Sequence, residues 1–179
     1  MSSELLRLTR IHKHFGAQVV LNDVNFAVQP GEIVGLVGPN GSGKTTTINV
    51  ISGLLHADEG EIDFLGHKLN SRLPMHKRAR LGINRTFQVP KVFRDMTARE
   101  NIEVAARAVH LPMADIDPVL YDVGLVGLAS RRAESQTVNQ QKLLDRGRAR
   151  ATRPKLLLVD GIGAGLNPAE LNVMAELLE

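Results

Sequence analysis

Residues 38–45 read GPNGSGKT: a glycine, four residues, then Gly-Lys-Thr. They follow the apolar run Glu32-Ile33-Val34-Gly35-Leu36-Val37 and precede Thr45–Leu55, where Ile48, Ile51 and Leu55 recur at helical spacing. The first run predicts a strand buried on both faces, and the second predicts a helix. Strand, glycine-rich loop and helix in that order form the context in which this pattern cradles phosphate. Gly41 and Gly43 lack the Cβ atoms that would keep backbone N–H groups from an anion at the positive end of the helix dipole. Lys44 supplies a point charge for the outer phosphates, and Thr45 offers a hydroxyl to Mg²⁺.

A magnesium ion also needs a carboxylate, and the sequence 155–168, KLLLVDGIGAGLNP, provides one. Leu156–Val159 predicts a second buried strand that ends in Asp160. An acid at the carboxyl end of a parallel strand lies on the side of the sheet where a phosphate loop opens. Hydrolysis needs a further residue to position and deprotonate water, and the next residue, Gly161, has no group for it.

Outward from these two stretches, the chain predicts an α/β core with an antiparallel β start and a small helical subdomain inserted between two parts of the core. Its 179 residues, 43% of them apolar, suffice for one domain with a small subdomain. From Leu5 to Val28 short strands are expected, broken at His14-Phe15-Gly16 and Asn22-Asp23, with a turn at Gln29-Pro30-Gly31. Thr97-Ala98-Arg99-Glu100 has capping-box spacing ahead of Ile102, Ala105, Ala106 and Val109, so a helix should start there. Most of 97–135 should be helical, with breaks at Leu111-Pro112 and Asp117-Pro118. Pro168-Ala169-Glu170 reads as the first turn of another helix. The net charge of +3 decides little, and the absence of cysteine excludes disulfides and thiolate metal sites. With no apolar run long enough to span a membrane and no signal-peptide core, the expectation is a soluble, intracellular chain. Arg146, Arg148, Arg150 and Arg153 form a basic cluster, read as a solvated helix face rather than a nucleic-acid patch.

With these motifs in place, the chain resembles the ATP-binding subunits of ABC transporters over nearly its whole length. GPNGSGKTT at 38–46, RTFQ at 85–88, ATRPKLLLVD at 151–160 and GLNPAE at 165–170 carry the resemblance. It implies a P-loop NTPase core with an N-terminal antiparallel β subdomain and an inserted helical subdomain. The parts would be 1–96, 97–153 and 154–179 of a single domain. By the same resemblance, nucleotide is bound by Phe15, which stacks on adenine, and by Gly38, Pro39, Asn40, Gly41, Ser42, Gly43, Lys44, Thr45 and Thr46. Gln88 reaches the metal together with Thr45 and Asp160, and it reports to membrane subunits; Lys44 and Gln88 are the candidate catalytic residues. The implied cofactors are ATP and Mg²⁺. The implied partners are a second ATP-binding subunit and membrane permease subunits, with no direct nucleic acid, at the inner face of the cell membrane. VFRDMTARENIEVA at 92–105 and the GLNP form of the last loop look most like importers of branched-chain amino acids.

The departures from the family pattern are as specific. Gly161 and Ile162 stand where the family has its catalytic glutamate and a proline. The signature segment Leu-Ser-X-Gly-Gln reads Gln136-Thr137-Val138-Asn139-Gln140. Gly147 lies in the helix that follows, at a cost of about 1 kcal/mol in propensity. The sequence ends 19 residues after Asp160, before the family's switch histidine, so none of the six histidines takes that role. The expectation is an MgATP-binding subunit whose hydrolysis is lost or strongly reduced. A non-hydrolysing regulatory module and a decayed or partial copy are the alternatives, with a nucleic-acid-associated relative behind them.

Overall fold

The computed structural model describes residues 4–86, 91–109 and 116–160, and the chain divides into two units, Met1–Leu81 and Gly82–Glu179. In the first unit, β1 (Leu6–Phe15) and β2 (Gln18–Val28) form an antiparallel hairpin around Gly16, at φ 58°. β3 (Glu59–Phe64) pairs with the other edge of β1, and β4 (His67–Lys68) completes the order β2-β1-β3-β4. Leu6 and Leu8 alternate inward as a half-buried strand requires, yet Ile11, three residues on, is also buried. A bulge at Arg10, with φ 49°, resets the phase, and the register of β1 shifts between Leu8 and Ile11. Asn22-Asp23, expected as a strand break, is likewise a bulge, where Asp23 takes φ 54° inside the continuous β2.

Helix α1 (Lys44–Ser52) places Ile48, Val50 and Ile51 in the core and stops at Gly53, whose φ of 78° gives a left-handed cap. It ends three residues before the expected Leu55. The short helix α2 (Met75–Leu81) carries Arg78, only 1% exposed. Its guanidinium donates to the carbonyls of Val50 (2.8 Å), Ile51 (2.9 Å) and Leu73 (3.0 Å), so a charge caps the negative end of α1.

The strand expected at residues 32–37 is a correction. These residues have no ladder partner among the described residues, and Ile33, Val34, Leu36 and Val37 are exposed, the last at 96%. An apolar run has strand propensity, but its hydrogen bonds must come from other segments, and the antiparallel sheet of this unit does not include it.

In the second unit β5 (Ile83–Arg85) and β6 (Leu156–Leu158) are parallel, with Ile83 opposite Leu156 and Arg85 opposite Leu158. Helices α3 (Ala98–Ala108), α4 (Ile116–Asp122) and α5 (Val138–Ala151) surround a core of Ile102, Ala106, Ile116, Leu120, Leu125 and Leu144. Thr97 and Glu100 close the start of α3 with the expected capping box. Pro118 does not break a helix; it sits in the first turn of α4, where its missing N–H has no intrahelical partner to lose. Leu111-Pro112 lies outside the described residues. Asn101 is fully buried, donating to the carbonyls of Phe93 and Thr97 and accepting from the Phe93 N–H, which pins the loop before α3.

Gly147, poor in propensity, has a packing role: a Cβ there would lie 3.2 Å from Ile102 Cδ1 and 3.3 Å from Val123 Cγ2. The basic cluster is not wholly a solvated face either. Arg148 lies with its guanidinium 4.8 Å from the Phe93 ring centroid and 3.5 Å from Asp145, while Arg150 pairs with Asp122 at 2.7 Å.

Gln136 is buried at 5% exposure, and its Nε2 donates to Arg131 O at 3.1 Å. No donor among the described residues reaches its Oε1. An unmet buried acceptor costs about 1–3 kcal/mol, and Arg131 O keeps the Ala98 N–H at 3.0 Å if the amide is removed. Gln136→Leu is therefore expected to raise unfolding free energy by about 1 kcal/mol, read by denaturant titration; a loss of stability would contradict this account.

Candidate functional site: a phosphate loop and a carboxylate held by arginine

The loop 38–43 is built around its own lysine. Lys44 Nζ donates to Gly38 O and Pro39 O, both at 2.7 Å, and lies 3.4 Å from Ser42 Oγ. Close approach bears on two glycines, and at Gly43 the neighbour includes backbone that cannot turn away. A Cβ on Gly38 would sit 2.7 Å from Ser42 Oγ, and one on Gly43, at φ 89°, would sit 2.7 Å from Leu21 Cδ2 and 2.9 Å from Val20 O. The second contact seats the start of α1 against β2. Gly41, at φ 85°, has open space around it, so its requirement is conformational.

Gly43 is the N-cap of α1, and no side chain caps it. The helices α3 and α5 differ, because Thr97 with Glu100 and Thr137 with Gln140 close their N-termini by capping boxes. Of these three helices, α1 alone presents a first turn without a side-chain cap, with a lysine and no acidic residue in it. That is the arrangement a phosphate needs: donors and positive charge with no competing carboxylate. Pro39, Asn40, Gly41, Ser42 and Thr45 are exposed and Thr46 is half-buried. Thr47 turns inward, its hydroxyl donating to Gly43 O at 3.0 Å.

Phe15 ends β1 at the hairpin tip, paired with Gln18 and 48% exposed. Lys13 Nζ stands 5.5 Å from its ring centroid. Asp58 anchors this tip, accepting from Lys13 Nζ at 2.7 Å and from the His14 N–H at 2.8 Å, with His14 Nδ1 3.0 Å away. The Lys13 hydrogen bond first, and the His14 N–H second, hold the Asp58 carboxyl below the usual carboxylate range.

In the second unit Asp160 follows β6, its side chain 12% exposed. Arg85, at the end of β5 and 5% exposed, donates from Nη2 to Asp160 Oδ2 at 3.1 Å. Burial pushes the guanidinium pKa down and Asp160 pushes it back, which leaves the arginine charged. The parallel register accounts for the meeting, since Arg85 lies opposite Leu158 and Thr86 N–H donates to Leu158 O at 2.9 Å. Gln88, Gly161, Ile162 and the GLNP loop lie outside the described residues. Among the described residues no cluster of three or more His, Asp or Glu side chains could enclose a metal. Thr45 in the first unit and Asp160 in the second each carry the hard oxygen that Mg²⁺ takes, in a set completed mostly by phosphate and water.

Arg85, Asp58, Arg78 and Asn101 did not stand out in the sequence as functional or structural anchors. Arg85 had one signal, its place in RTFQ three residues before Gln88. The partners of all four are distant in the chain or are backbone carbonyls, which no local spacing encodes.

Comparison with known proteins bears on the same stretches. A family model described as ABC transporter matches residues 21–162. The lipopolysaccharide export system ATP-binding protein LptB of Acidithiobacillus ferridurans is 35% identical over 182 residues, covering 98% of this chain and 74% of that protein. The high-affinity branched-chain amino acid transport ATP-binding proteins BraF of Pseudomonas aeruginosa and LivG of Escherichia coli K12 are each 34% identical, over 99% of this chain and 77% of theirs. Among solved structures, a nucleotide-free ATP-binding cassette from an ABC transporter superposes with a TM-score of 0.81 at 32% identity, covering 98% of this chain and 76% of that one.

Proposed function

Because the chain belongs to the ABC transporter family, as an ATP-binding subunit, we propose that it binds MgATP on the 38–46 loop and serves an importer of branched-chain amino acids. The observation that carries the nucleotide reading is the first turn of α1, uncapped by any side chain and holding Lys44, in contrast to α3 and α5, whose N-termini are capped. In this reading the N–H groups of 41–46 receive phosphate oxygens, and Lys44 leaves the carbonyls of Gly38 and Pro39 for them. Phe15 stacks on the base. Thr45, Asp160 and Gln88 are the proposed magnesium residues, and Mg²⁺, when bound, neutralises charge on the outer phosphates.

The substrate class rests on VFRDMTARENIEVA at 92–105 and on the similarity to BraF and LivG. The comparable similarity to an export subunit makes lipopolysaccharide export the competing assignment. The proposed partners are a second ATP-binding subunit and membrane permeases, at the inner face of the cell membrane. Among the described residues no helix is long and apolar enough to cross it. The division into parts at 96/97 and 153/154 of one domain is retained as a proposal, as is the loss or strong reduction of hydrolysis, which Gly161 motivates. A non-hydrolysing regulatory module is the second reading, favoured by the same residue.

Calorimetric titration with MgATP tests the nucleotide reading. Lys44→Ala is expected to weaken binding about 10- to 100-fold, the worth of one or two charge-assisted hydrogen bonds. Equal affinity of the variant and the unsubstituted chain would overturn the assignment of the loop.

A further inference from the structure

The Asp160 side chain is only 12% exposed, and a carboxylate so largely withdrawn from water needs a counter-charge. Arg85 supplies it from the neighbouring parallel strand, 3.1 Å from Oδ2. A divalent cation and a guanidinium cannot share the same carboxylate without strong repulsion between them. We propose that Arg85 is a positioning residue which acts as an internal counter-cation for Asp160, and that Mg²⁺ engages this carboxylate by exchange with Arg85 rather than by entering a vacant site. The inference rests on the reading of Asp160 as a magnesium ligand.

Two consequences follow from the geometry. Without metal, Arg85 holds the carboxylate by its Oδ2 at the end of β6 and supplies its counter-charge. With metal, the guanidinium is released at the end of β5, the strand that leads into the segment containing Gln88. Magnesium binding thereby acts on the chain that precedes Gln88 through a named ion pair.

The test is the ratio of ATP dissociation constants in EDTA and in Mg²⁺, measured by calorimetry. Arg85→Gln removes the competitor and is expected to enlarge the magnesium enhancement about tenfold over that of the unsubstituted chain. Arg85→Lys keeps a charge, and so a compensated Asp160, but loses the planar fork; an intermediate gain of about threefold is expected, and this variant serves if the glutamine one fails to fold. Affinity in EDTA, which depends on the 38–46 loop, reports folding of each variant. Asp160→Asn should abolish the enhancement with or without Arg85. An unchanged ratio in the folded arginine variants, with the enhancement lost in Asp160→Asn, would overturn the exchange and leave Asp160 as the ligand. An enhancement that survives Asp160→Asn would overturn the reading of Asp160 and the exchange with it.

Discussion

Gly161→Glu is expected to raise the rate of phosphate release at saturating MgATP by about 10²- to 10⁴-fold, the usual contribution of a positioned general base. The substitution returns a carboxylate directly after Asp160, where the ABC resemblance places the family's catalytic glutamate. Gly161→Gln is the control, since it matches the glutamate in size and polarity but cannot accept the proton from water at neutral pH. A gain with glutamate and none with glutamine would support the proposed loss of hydrolysis at position 161. If both variants bind MgATP and neither hydrolyses it faster, Gly161 does not limit hydrolysis. The segment 136–140 is then the next cause, because Asn139 is exposed in the first turn of α5 with a side chain where the family has glycine.

Arg78→Met is expected to lower unfolding free energy by about 3 kcal/mol or more, measured by denaturant unfolding. The guanidinium makes three bonds of 3.0 Å or less to the carbonyls of Val50, Ile51 and Leu73, and longer ones to Asn70 and Ser71 at 3.4 and 3.3 Å. Val50 O keeps the Gly53 N–H at 3.2 Å, but the carbonyls of Ile51 and Leu73 lose their arginine donor; each buried acceptor left unmet costs about 1–3 kcal/mol, and methionine fills the stem's volume without restoring a donor. Arg78→Lys should recover little, because one ammonium cannot face the carbonyls at the end of α1 and the 70–73 loop at the same time. A loss below 1 kcal/mol in Arg78→Met would show that water replaces these bonds. Since Val50 and Ile51 close the helix whose first turn holds Lys44, the less stable variant should also bind MgATP more weakly near its unfolding midpoint.

The parts of the molecule that were legible in advance share one property: their cause is local. GPNGSGKT prescribes a glycine-lined turn into a helix because the positive φ of Gly41 and Gly43, the approach of Gly38 to Ser42 and an uncapped first turn are all set within eight residues, whereas the seat of Gly43 against Val20 and Leu21 is not. Thr97 and Glu100 meet because they stand three positions apart on one helical turn. The break at His14-Phe15-Gly16 between β1 and β2 is visible for the same reason, although the bulges at Arg10 and Asp23 are not. A bulge depends on the partner strand, and Asn22-Asp23 has the composition of a turn whether it ends a strand or kinks one.

What local sequence could not express are the contacts between segments far apart in the chain. Arg85 and Asp160 lie 75 residues apart and meet because β5 and β6 run parallel in one register. Gly147 looks like a defect in its helix and becomes a requirement once Ile102 and Val123 press against it. Arg148 looks solvated until the Phe93 ring and Asp145 take it in. Conversely, the apolar run at 32–37 promised a strand, but a parallel strand exists only where other strands supply its hydrogen bonds. Sequence therefore specified the phosphate loop, its lysine and its helix, whose interactions close over a single turn of chain. Long-range packing set the company of the aspartate, because a buried charge takes the partner that the sheet register brings to it.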